Sequence, residues 1–145
     1  MSSEGQRLTP FAHAANNRCF GCGPANSLGL HLDFFLAPDG AVECCAIVSD
    51  LYEGPPGYLH GGIIATLLDE AMSKAVRASG KTAMTRKMEV EYLRPVPSGA
   101  EIRIEGRLLR SEGRKNWAEA KILHQDGSPL AQAAGLFIEM SPRKT

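Results

Sequence analysis

Between Tyr58 and Ala78 the apolar positions recur at helical spacing, and on either side of that stretch they recur at every second residue. Ile64, Leu67, Leu68, Ala71 and Ala75 line up as one stripe at about 100° per residue, opposite a polar arc of Thr66, Glu70, Ser73, Lys74 and Arg77. The pattern predicts a helix that opens at Gly61-Gly62 and runs to about Ala78. It stops before Gly80, a residue suited to the left-handed turn beyond a helix end. Upstream, Leu30, Leu32, Phe34 and Leu36 alternate with His31 and Asp33, Pro38-Asp39-Gly40 turns the chain, and Val42, Cys44, Ala46 and Val48 return. Downstream, Met84 to Tyr92 alternate until the prolines at 95 and 97. Ile102 to Leu108, Trp117 to Leu123 and Leu130 to Met140 then complete four strands. The expected order is β-β-α-β-β-β-β. A helix with so apolar a face needs something broad to lie on, and one curved antiparallel sheet wrapped round it serves.

Chemistry concentrates where that helix begins. Gly61 and Gly62 leave the first backbone N–H groups uncovered, with no intrahelical partner and the positive end of the helix dipole behind them. A carbonyl oxygen or an anion can dock there. Two adjacent carboxylates follow. Glu70 falls in the middle of the polar arc with Lys74 at i+4, the favourable order for a solvated ion pair. Asp69 falls at the border of the two faces, beside Ala65, Met72 and Val76, although Asp is a mediocre helix-interior residue. Asp69 is therefore the candidate for chemistry, with an ordinary border salt bridge as the competing reading.

The chain has 145 residues, enough for one domain with a respectable core, and its 16 basic and 16 acidic residues cancel. Bulk electrostatics draws it neither to nucleic acid nor to an anionic membrane. No apolar run approaches a membrane span and the first residues have no signal-peptide pattern, so a cytoplasmic protein is the expectation. Residues 1–18 are polar or small and read as a flexible arm; residues 19–141 read as a single domain. Four cysteines do not make a disulfide framework. The Cys19-x-x-Cys22 pair has no second pair to complete a four-ligand zinc site, and neither His13 nor His31 supplies a familiar spacing. The expectation there is a tight, partly buried loop with small apolar thiols, no bound metal, and no metal or redox cofactor.

Four stretches together resemble a known family: Cys19-Phe20-Gly21-Cys22-Gly23, Gly54-Pro55-Pro56-Gly57, His60-Gly61-Gly62 through Asp69-Glu70, and Tyr92-Leu93-Arg94-Pro95-Val96-Pro97. They look like hotdog-fold acyl-CoA thioesterases of the phenylacetate-pathway and 4-hydroxybenzoyl-CoA type. The resemblance implies an α+β hotdog domain acting on an acyl-CoA, as a homodimer or homotetramer with sites at the subunit interface. It implies that the N–H of Gly62 or Gly61 holds the thioester oxyanion and that Asp69 serves as general base or direct nucleophile. It further implies that His60 orients the loop or substrate and that Thr85 supplies a hydroxyl that places the water.

Each implied role has a plainer counterpart. His60 can cap the helix, and Thr can be an ordinary strand residue. Family members often carry an amide or acid about six residues before the His, where this chain has Gly54 with Glu53 beside it. Arg110, Arg114 and Lys115 bracket a turn and can hold CoA phosphates, or be solvated surface. Tyr58, Met84 and Met88 can line an acyl pocket or belong to the core. The alternative function is a non-catalytic acyl-thioester or small-ligand binding protein on the same fold. A dehydratase is disfavoured because the Asp/His pairing of such enzymes is not visible at the helix start.

Overall fold

A computed structural model describes residues 9–141. The strands are β1 (Thr9–Pro10), β2 (Phe35–Leu36), β3 (Val42–Ile47), β4 (Ala83–Tyr92), β5 (Glu101–Glu112), β6 (Lys115–Leu123) and β7 (Pro129–Glu139), and the single long helix α1 (Gly61–Ala78) falls between β3 and β4. All strand pairs are antiparallel and form one sheet in the order β1-β2-β3-β5-β6-β7-β4. The sheet packs along α1 through five of its strands, which is the hotdog arrangement that the resemblance implied.

The helix forms where the periodicity placed it, and Gly80 takes φ +90° just past its end. Ile64, Leu67, Leu68, Ala71 and Ala75 are buried against the sheet, and so are Met72 and Val76. The apolar stripe is thus wider than expected, with each large side chain adding roughly 1.5–3 kcal/mol by leaving water. Facing them are Val42, Cys44, Ile102, Ile104, Ala118, Ala120, Ile122, Ala131, Ala133 and Phe137, the inward positions of their strands.

The upstream half departs from expectation. The strand expected from Leu30 to Leu36 is reduced to Phe35–Leu36. Leu32 and Phe34 are buried as the alternation required, but His31 adopts φ 51°, which takes the chain out of extended geometry. Backbone bonds from Leu30 to Phe20 and from Leu32 to Gly21 tie this segment to the Cys19–Gly23 loop instead of to a neighbouring strand. Of the expected N-terminal arm, residues 1–8 lie outside the described residues, while Thr9 and Pro10 pair with Leu36 and Phe35.

Candidate active site

The helix start is clamped from three sides. Leu59 N–H donates to Val96 O, His60 N–H donates to Tyr52 O, and the Tyr92 hydroxyl donates to Gly61 O at 2.9 Å. His60 is the N-cap: its Nδ1 accepts the Gly62 N–H at 2.9 Å. The ring therefore caps the helix, as side chains do for orphan helix donors. The Gly62 N–H is thereby taken, whereas the Gly61 N–H has no acceptor among the described residues. Tyr92 was not singled out by sequence reasoning; strand alternation gives no sign of a hydroxyl reaching back to the helix.

Eight residues further along α1, Asp69 emerges half-buried at the flank of the helix. The Thr85 hydroxyl donates to Asp69 Oδ1 at 2.6 Å. β4 carries Thr85, and its register with β7 shifts between Thr85 and Lys87. A local irregularity of this kind re-aims a side chain on a strand. The two residues named from the sequence for different roles are thus hydrogen-bonded to each other. One carboxylate oxygen is held by the hydroxyl and the other has no partner among the described residues.

Glu70 is not in solvent, and it forms no ion pair with Lys74 among the described residues. The Cys19–Gly23 loop lies over the polar arc. Cys19 Sγ donates to Glu70 Oε1 at 3.4 Å and Lys74 Nζ donates to Cys22 Sγ at 3.1 Å. Lys74 also sits 5.9 Å from the centre of the Phe11 ring. Burial first, and then the Glu70 charge, push the Cys22 thiol up to about 12, with Lys74 pulling the other way. The i+4 rule failed because it assumes an uncovered face, and a loop distant in sequence covers this one.

The basic residues of the β5–β6 turn are spread over different tasks. The Arg110 guanidinium stacks 3.7 Å from the centre of the Trp117 ring and contacts Glu112, and Arg114 Nε donates to Glu139 O. Lys115 is exposed with no polar side-chain partner among the described residues. Lys115 pairs with Ile138, and Ile138 with Met84, so the turn lies at the Thr85 end of the sheet, two strands or about 10 Å away. Asn116, fully buried, braces this turn: it accepts from Lys81 Nζ and Ser111 Oγ and donates to the carbonyls of Arg114 and Phe137.

Tyr58 and Met84 are exposed and so are not core, whereas Met88 packs partly buried against it. Gly54 lies against His60, and the neighbouring Glu53 carboxylate accepts from the Ser98 hydroxyl. No α-helix among the described residues is long and apolar enough to cross a membrane.

The chain is similar to known proteins in sequence and in fold. The family model of the thioesterase superfamily matches residues 56–130, which run from the loop before α1 into β7. The acyl-coenzyme A thioesterase THEM4 of Xenopus laevis is 36% identical over 110 residues, 75% of this chain and 50% of that protein. Its Bos taurus counterpart is 32% identical over 141 residues, 96% of this chain and 58% of the relative. The chain therefore spans between half and three fifths of the length of these curated relatives. Among solved structures, a thioesterase superfamily protein superposes with a TM-score of 0.80 at 32% identity, covering 84% of this chain and 60% of that one. A Streptococcus mutans protein bound to acetyl CoA superposes with a TM-score of 0.67 at 25% identity, covering 72% of this chain and 85% of that one.

Proposed function

The chain belongs to the thioesterase superfamily, and from that premise we propose that it hydrolyses an acyl-CoA thioester to CoA and a free carboxylic acid. The observation that carries the reading is the 2.6 Å bond from the Thr85 hydroxyl to Asp69. A carboxylate with one oxygen held keeps the other to take a proton from water or to attack a carbonyl carbon. Thr85 fixes the rotamer of Asp69 and leaves that second oxygen. The acetyl CoA bound to the S. mutans neighbour and the names of the THEM4 relatives support CoA as the leaving group. At the other end of the site, the Gly61 N–H is the free donor that would hold the developing oxyanion, while His60 keeps the neighbouring Gly62 N–H and the helix start in place.

These two halves cannot act on the same carbonyl within one chain. Gly61 and Asp69 are eight residues apart on α1, or about 12 Å along its axis. An oxyanion donor sits about 3 Å from its oxygen and the attacking atom about 3 Å from the carbon. A second copy must bring its own Gly61 or its own Asp69 alongside. β4, which carries Thr85, is the last strand of the sheet and hydrogen-bonds to β7 on one side only, so its free edge offers the backbone groups along which another copy can join. The working unit on this reading is a homodimer, or a homotetramer made of two such dimers, with shared sites. The exposed Lys115 turn at the Thr85 end supports a reading in which Lys115 meets the phosphates of CoA, with Arg110 and Arg114 holding the turn's flanks.

One observation favours the alternative of a non-catalytic acyl-thioester binder. Gly54 brings no polar side chain to the loop before the helix, and Glu53 is turned to Ser98. Thiol release from a panel of acyl-CoAs, measured on the wild type and on Asp69→Asn, separates the two. Turnover by the wild type that is lost in the variant supports hydrolysis. Binding of acyl-CoA without thiol release from any member of the panel would leave the binder. Single turnover in oxygen-18 water then assigns the role of Asp69. Direct attack by water labels the first molecule of acid, whereas attack by Asp69, followed by water at the aspartyl carbon of the resulting anhydride, leaves that molecule unlabelled and puts the label into the Asp69 carboxylate.

A further inference from the structure

The loop across the polar arc of α1 assembles a donor set that chain spacing does not reveal. Cys19 Sγ, Cys22 Sγ and a carboxylate oxygen of Glu70 all lie within 4.8 Å of one another. Cys22 is buried, Cys19 and Glu70 half-buried. Glycine at position 21 makes the approach feasible, because a Cβ there would overlap the Glu70 side chain. Lys74 stands behind the trio, donating to Cys22 Sγ at 3.1 Å.

We propose that Cys19, Cys22 and Glu70 bind a thiophilic divalent cation, with Zn²⁺ as the probe, and that a fourth position is left for water. Tetrahedral zinc takes thiolate at about 2.3 Å and carboxylate oxygen at about 2.0–2.2 Å, so its donors stand roughly 3.5–3.8 Å apart. The trio needs a contraction of about 1.3 Å at most to reach that geometry. Charge balances as well. Two thiolates and a carboxylate carry three negative charges, the cation cancels two, and the Lys74 ammonium cancels the third. A donor hydrogen-bonded to a metal-bound sulfur is the usual outer partner that orients such a ligand. Binding releases the two thiol protons to solvent and joins the loop to the helix, so the metal stabilises the fold. The carboxylate that completes the set was assigned from the sequence to open solvent, which is why counting ligands along the chain stopped at two.

The test uses the whole chain, purified without chelator for metal analysis, then stripped and titrated with Zn²⁺ and with Co²⁺. The expected result is about one equivalent per chain, a sulfur-to-cobalt charge-transfer band, and a higher melting temperature with metal than without. Cys19→Ser/Cys22→Ser should abolish the band, Glu70→Gln should weaken affinity, and Lys74→Met should weaken it by about 10–100-fold. Cys45→Ser, on the exposed face of β3, should bind as the wild type does. Absence of the cobalt band in the wild type overturns the proposal without any variant having to fold. Stoichiometric binding that survives the double serine variant overturns it too, as does loss of two thiols to a disulfide in place of metal uptake.

Discussion

Asp69 and Glu70 are consecutive residues on α1, about 100° apart around its axis, and each is half-buried. Asp69 meets a strand: the Thr85 hydroxyl holds one of its oxygens at the edge of the sheet, and the other stays available. Glu70 meets a loop: Cys19 bonds to its carboxylate, Cys22 beside it takes a bond from Lys74 of the same helix, and Gly21 leaves no room for a side chain over its stem. The same functional group, one residue apart, is left open to chemistry on one side and enclosed by it on the other. What decides between them is the segment the topology lays across each face of the helix, since helix phase alone separates the two only by direction.

The sharpest way to break this contrast is to neutralise each acid in turn. Asp69→Asn should lower kcat by about a hundredfold or more, the size expected for loss of a base or nucleophile. Glu70→Gln should lower it far less and should lower the melting temperature more, as steady-state kinetics beside thermal melts will show. Equal kinetic losses would mean that the two faces are not distinct. A smaller effect sharpens the Asp69 side: Thr85→Ala should cost about tenfold in kcat, the size of one charge-assisted hydrogen bond, and Thr85→Ser should restore most of it. An unchanged kcat in Thr85→Ala would remove the hydroxyl from the site.

On the Glu70 side, Gly21→Ala should destabilise the fold by about 1–3 kcal/mol, because the added methyl overlaps the Glu70 stem. Denaturant unfolding measures this, and an unaltered midpoint would mean that the loop lies elsewhere. The smallest effect is a ranking of thiol reactivity. Exposed Cys45 should label first in the folded protein. Cys22 and Cys44, both buried and both pushed up to about 12 chiefly by that burial, should label only on unfolding. Early labelling of Cys22 would show that the loop opens.

Much of this was legible in the chain. The helix and its end at Gly80 and the strands after it follow from local periodicity, whereas the resemblance named Asp69 and Thr85 for separate roles and gave no sign of the bond between them. Residues 28–34 were misread because alternation reports burial and not hydrogen bonding. Leu32 and Phe34 are buried as a strand would bury them, yet the φ of His31 and the bonds to Phe20 and Gly21 make the segment part of a loop. The Glu70 environment was invisible for a different reason. Cys19 and Glu70 are 51 residues apart, and no period connects them. The occupation of the Gly62 N–H by His60 was likewise legible only as one option among two, since a histidine before two glycines can cap or catalyse with the same spacing.

The claim that the site is shared between copies admits the most direct measurement of all. Asp69→Asn chains and Gly61→Val chains, whose β-branched side chain would stand where the carbonyl docks on the N–H, should each be nearly inactive alone; they are co-expressed or unfolded and refolded together, and thiol release is measured on the mixture. Random pairing gives heterodimers in which one of the two sites has both an intact Gly61 and an intact Asp69, so about a quarter of the wild-type activity should return. Activity that stays at the level of the separate variants, in a mixture shown to contain heterodimers, would contradict a site built from one copy's helix start and another copy's Asp69.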